Sequence, residues 1–132
     1  MENRCATEII DLHKFFEDWF GGKVSNTDVV FARFVDCMDN GFVLISPDGS
    51  IQTLAELKPM LRAAHGSRPG VRIWATNARL LHRMDGHVVM AYEEWQVTDG
   101  AQTRRQSSAV FRTDAGLPQG VQWVHLHETW LK

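Results

Sequence analysis

The chain has 132 residues, 44% of them hydrophobic and 23% charged, with a formal net charge of -2 and a pI near 6.3. That length fits one domain, residues 1–132, able to bury about 65–70% of its extended surface. The balance excludes collagen-like and disordered classes and gives no basic surface to attract nucleic acid.

No uncharged stretch approaches the roughly 20 apolar residues of a membrane span. Charged residues from Glu2 to Asp18 interrupt any signal-peptide core, so a cytoplasmic protein with no membrane contact is expected. Cys5 and Cys37 form no framework and read as free thiols in a reducing compartment.

In chain order, Ile9, Leu12, Phe16, Trp19 and Phe20 recur at helical spacing, predicting a helix from Thr7 to Phe20 with Thr7 as its cap and Gly21-Gly22 as its exit. A second helix is expected from Asp28 to Met38, capped by Asn26 or Thr27, with Val30, Phe31, Phe34, Val35 and Met38 on its apolar side. Phe42 to Ser46 reads as a short strand and Pro47-Asp48-Gly49-Ser50 as a turn. Thr53 and Glu56 have capping-box spacing, but Pro59 lacks an amide hydrogen, predicting a short turn there and a restart that ends at Gly66.

From Gly70 the pattern becomes strand-like. Strands are expected over Val71–Met84, His87–Thr98, Thr103–Thr113 and Val121–Leu131, with reversals at Asp85-Gly86 and Asp99-Gly100 and a longer loop over Ala115–Gly120. Short connections make consecutive strands antiparallel. The result is an α+β fold, N-terminal helices packed on a strongly curved antiparallel sheet. Trp74, Trp95, Trp123 and Trp130 then predict that a second copy of the chain covers the sheet face the helices leave free.

Three strings resemble the nuclear transport factor 2-like superfamily, in particular its SnoaL-like and calcium/calmodulin-dependent kinase II association-domain branches. Residues 12–21, Leu-His-Lys-Phe-Phe-Glu-Asp-Trp-Phe-Gly, look like its first helix. Residues 107–112, Ser-Ser-Ala-Val-Phe-Arg, look like its penultimate strand, and Val124-His125-Leu126-His127-Glu128-Thr129 is similar to its last. The resemblance implies a cone-shaped, cystatin-like roll enclosing a cavity, and a homodimer through the sheet. Its members include isomerases, cyclases and dehydratases alongside modules with no chemistry. There are two departures: Val121 stands where the family often has Trp, with Trp123 nearby, and Glu94 and Ala109 stand where the kinase association domains carry pocket arginines. An anion pocket of that kind is not carried over.

Strand alternation places His125, His127 and Thr129 on one face with Val121 and Trp123. Paired imidazoles can move protons near neutral pH or hold a metal, but no recognised spacing supplies further ligands, so neither metal nor cofactor is expected. Tyr92 and Glu94 share a face, as do Arg105 and Ser107. If these faces turn inward, Glu94 is the candidate general base, with Tyr92 or His125 donating to an oxyanion. The alternative is an inert Glu94–Arg105 pair across neighbouring strands. Phe31, Phe34, Met38, Met60 and Leu61 are expected as core or pocket lining. Asp36 and Asp39 read as exposed or capping groups, and His65 as a partner of a helix end.

Neither a phosphate-cradling glycine loop nor a serine nucleophile elbow occurs. The leading expectation is a pocket protein for a small apolar-to-amphipathic ligand contacted by His127, Arg105, Ser107 and Trp123. A cofactor-independent isomerase, cyclase or dehydratase and a non-catalytic assembly module are the alternatives.

Overall fold

A computed structural model describes all residues, 1–132. Three helices, α1 (Glu2–Phe20), α2 (Asp28–Val35) and α3 (Leu54–Ala63), pack on a curved six-stranded sheet. Its strands are β1 (Met38–Ile45), β2 (Ile51–Thr53), β3 (Arg72–Met84), β4 (His87–Thr98), β5 (Ala101–Thr113) and β6 (Val121–Leu131), in the spatial order β2-β1-β6-β5-β4-β3.

The β3–β6 meander is antiparallel, but β1 lies parallel to β6. The sheet is therefore mixed, a correction to the antiparallel expectation. Local turns constrain only sequence neighbours, whereas β1 reaches β6 through the whole intervening chain, so no turn dictates its direction. The turn between β4 and β5 has positive φ at both Asp99 (50°) and Gly100 (80°), which matches the right-handed twist of the flanking strands.

Element limits shift where side chains take other partners. α1 begins five residues before Thr7, whose hydroxyl bonds back to the carbonyl of Asn3 instead of capping. α2 is capped by the Thr27 hydroxyl and stops at Val35, releasing Met38 to start β1. α3 runs unbroken through Pro59. Its start is fixed by the complete Thr53–Glu56 capping box and its inner face by buried Leu54 and Leu57, which outweigh one lost backbone hydrogen bond.

The core between helices and sheet is strongly aromatic. Trp19 and Trp123 are fully buried, each burial worth about 1.5–3 kcal/mol or more. Three polar ties join the layers. Glu17 accepts from the Ile73 amide (2.9 Å), fixing α1 to β3, and the Trp19 indole donates to Leu61 O (2.8 Å), fixing α1 to α3. Glu8, also buried, takes a two-pronged contact from Arg33 (2.7 and 3.2 Å) and the indole N–H of Trp123 (2.9 Å), joining α1, α2 and β6. No helix is long and apolar enough to cross a membrane.

Bulges bend the sheet. β3 is interrupted between Thr76 and Arg79, where Asn77 has φ of 58°, and again between Leu80 and His82. β6 carries one extra residue, Val124: Trp123 pairs with Phe111, and the next pair is His125 with Val110. That residue decides what faces the interior.

Candidate functional site

A hollow of about 160 Å³ lies between the helices and the concave side of the sheet. Thirteen of its 17 lining residues are hydrophobic, among them Leu12, Phe16, Phe34, Met38, Leu44, Met60, Trp123 and Leu126. The polar lining comprises His13, Glu94, Arg105 and Glu128, with Tyr92 among the aromatics.

These groups converge because each element delivers one or two inward positions. His13 lies four residues after Ile9 on the inner stripe of α1. Tyr92 and Glu94 alternate inward on β4, and Arg105 and Ser107 stand opposite Glu94 and Tyr92 on β5. Glu128 pairs with Ser107 from β6. The expected faces of β4 and β5 are thus the inner ones.

β6 differs. Because a bulge inserts one residue, it inverts the side-chain alternation beyond it. Trp123 faces inward, but Leu126 and Glu128 follow it there, and His125 and His127 turn outward. This corrects the expectation that the two imidazoles share Trp123's face. His125 donates its Nδ1–H to the β1 carbonyl of Val43 at 2.7 Å, and His127 is exposed beside Gln106, Ser108 and Thr129 on the outer face. Phe31 lies one layer behind the cavity wall, packed on Trp19 at 4.9 Å. Trp123 is core and not outer surface, at 6.3 Å from Tyr92 and 4.5 Å from Phe111. Trp74 and Trp95 stack on the outer face at 5.9 Å.

His13 organises the polar floor. Its Nδ1 lies 2.6 Å from the Ile9 carbonyl, which can only accept, so Nδ1 carries hydrogen. Its Nε2 meets Glu94 Oε1 at 2.9 Å. Burial opposes charge on the ring, but Glu94's charge and hydrogen bond prevail and raise the His13 pKa above its ordinary value. Burial likewise opposes charge on Glu94. His13, Arg105 and Gln96 together reverse it and hold the carboxyl down to about 2. With Nδ1–H already given to Ile9, an ionised Glu94 takes its bond from a protonated Nε2, the geometry of an imidazolium–carboxylate pair.

Arg105 sits between two carboxylates, with Nε 3.8 Å from Glu94 and Nη1 3.3 Å from Glu128. The cross-strand Glu94–Arg105 pairing is present, though the nearer partner is Glu128. Burial, then the neighbouring charge of Glu94, pushes the Glu128 carboxyl up to about 7, with Arg105 opposing. Burial and the same carboxylates also raise the Tyr92 phenol well above its usual range, so it stays a neutral donor. The Tyr92 and Ser107 hydroxyls are fully buried, stand opposite each other across β4 and β5, and make no close hydrogen bond to the rest of the chain.

His13 and Glu128 are the two site residues that residue patterns did not reveal. The signal for His13 was its position on the apolar stripe, since a charged-capable residue between Leu12 and Phe16 on that face must find a buried partner. Glu128 was hidden by the bulge. No group of three metal-ligating side chains gathers in the chain.

Comparison with known proteins agrees over nearly the full length. The family described as sucrose-6-phosphate phosphohydrolase C-terminal matches residues 5–132. A probable sucrose-phosphatase 2 from Arabidopsis thaliana is 27% identical over 128 residues, 95% of this chain and 30% of that protein. The chain therefore spans about a third of that curated relative's length. Among solved structures, an NTF-2 like protein of unknown function from Pseudomonas aeruginosa superposes with a TM-score of 0.87 at 25% identity, over 98% of this chain and 99% of the other. The CamKII hub homology domain from Chlamydamonas reinhardtii superposes at 0.65 and 16% identity, covering 97% and 99%. The chain belongs to the sucrose-6-phosphate phosphohydrolase C-terminal family, within the nuclear transport factor 2-like superfamily.

Proposed function

We infer that the chain is a ligand-holding module: its cavity takes one small, mainly apolar molecule, and its outer sheet face pairs with a second copy. The observation that carries the reading is an apolar hollow closed by a buried polar cluster, the usual composition of a small-molecule site. The hydrolysis named in the Arabidopsis relative is not assigned to this unit. A sugar phosphate is bulky and doubly charged, whereas a hollow of about 160 Å³ is the size of an apolar cavity that admits benzene. Its two cations already face two carboxylates.

Self-association has support on the outer face, where Trp74 and Trp95 stack flat with Arg104 over Trp95 at 5.1 Å. The test is thermal melting with cavity-sized apolar compounds alongside sedimentation over a concentration series. A ligand-dependent rise in Tm supports the pocket, because binding only the folded state raises stability by RT ln(1 + [L]/Kd). A Tm that no compound moves contradicts it.

One observation favours a second reading, proton-transfer catalysis such as isomerisation, cyclisation or dehydration. Glu128, held near neutral range inside the cavity, has the acidity such a step needs. Glu94 is the weaker base, because its carboxyl is held down to about 2. Loss of turnover in Glu128→Gln with retained folding is the result this reading requires.

A further inference from the structure

The polar floor is held by donors that find acceptors within the chain. His13 donates to Ile9 O and Glu94, Gln96 donates to Glu94, and Arg105 Nη1 donates to Glu128. Three buried side-chain atoms are left without partners: Tyr92 Oη, Ser107 Oγ and Arg105 Nε. All three belong to inner-face residues of β4 and β5, Tyr92 opposite Ser107 and Arg105 opposite Glu94. A buried donor without an acceptor costs roughly 1–3 kcal/mol, a cost that an acceptor brought into the hollow removes.

The chemistry of that acceptor follows from the charges around it. His13 and Arg105 are matched by Glu94 and Glu128, so an anionic ligand meets the Glu94 carboxylate and the Glu128 carboxyl group and finds no unpaired cation. An ammonium group meets the guanidinium and imidazolium. A hydroxyl can accept there too, but its own proton then needs a further acceptor. A carbonyl oxygen brings lone pairs and no proton. The apolar wall of Phe16, Phe34, Leu44 and Leu126 suits a hydrocarbon body of about one ring, given a hollow of about 160 Å³.

Resting on the pocket reading, we propose that the occupant is a compact, uncharged carbonyl compound of about one ring, its oxygen accepting from the Tyr92 hydroxyl with Ser107 behind it. Tyr92 selects the ligand class and the helices' side chains select its shape.

The test uses the whole chain and three probes: cyclohexanone, methylenecyclohexane (the same shape with CH2 replacing oxygen) and benzoate. Affinities are read by NMR titration of wild type, Tyr92→Phe and Ser107→Ala. The proposal expects cyclohexanone to bind wild type and to lose about tenfold in Tyr92→Phe, the value of one hydrogen bond, while methylenecyclohexane binds both proteins equally. It also expects the carbonyl carbon-13 signal of labelled cyclohexanone to shift to higher frequency on wild-type protein, a readout that needs no variant. Ser107→Ala is expected to lose about threefold. Cyclohexanone binding that Tyr92→Phe and Ser107→Ala leave unchanged, with an unshifted carbonyl signal, overturns the carbonyl assignment but keeps the pocket. Tighter binding of benzoate than of cyclohexanone overturns it in favour of an anion site. Failure of every probe to bind wild type overturns the pocket reading itself.

Discussion

His13 of α1 and Glu94 of β4, 81 residues apart in sequence, meet at 2.9 Å beneath the helices, and each fixes the other's charge. Breaking such a buried pair leaves one charge uncompensated. Glu94→Gln is predicted to cost about 3 kcal/mol in chemical denaturation at neutral pH and to drop the His13 pKa below its ordinary value, read by NMR of the ring. A variant as stable as wild type, with His13 still charged at neutral pH, contradicts the pairing.

Glu128 sets the pH dependence. Its folded pKa is raised from 4.5 to about 7, so the folded state holds its proton more tightly than the unfolded chain does. The stabilisation this gives is complete below about 4.5 and is lost as pH rises through about 7. Wild type is therefore predicted to lose stability across that window, and Glu128→Gln to flatten the decline. Denaturation at a series of pH values checks it, and equal slopes in both proteins contradict it.

The Tyr92 hydroxyl is buried and makes no hydrogen bond to another group of the chain. Removing it relieves an unmet desolvation penalty, so Tyr92→Phe is predicted to leave the ligand-free protein equally stable or more stable by about 1 kcal/mol. A loss of stability by that amount means the hydroxyl already has a partner.

Glu8 links three elements through Arg33 and Trp123 while almost wholly buried. Glu8→Ala strands the Arg33 guanidinium and the indole N–H, with a predicted cost of about 3–5 kcal/mol measured by urea unfolding. A cost under about 1 kcal/mol contradicts this role.

Much of the architecture was legible in residue patterns. The capping box at Thr53–Glu56, the Asp99-Gly100 reversal and the alternation of β4 and β5 all reflect local backbone chemistry, which short windows of sequence carry. The β6 bulge does not. Val124 is neither glycine nor proline, and a one-residue insertion leaves no composition signal, yet it exchanged His125 and His127 for Leu126 and Glu128 on the inner face. The parallel β1–β6 pairing is equally non-local. His13 gives no clear signal because a helix stripe is read by hydrophobicity, and a histidine that meets its carboxylate across the core looks there like an interruption.

The most direct measurement is a high-resolution crystal structure of the chain as purified and after soaking with cyclohexanone. The account predicts density for one compact molecule in the hollow of about 160 Å³, with a polar atom within hydrogen-bond distance of the Tyr92 hydroxyl. A hollow collapsed by repacked side chains, or filled by ordered water alone in both crystals, contradicts it.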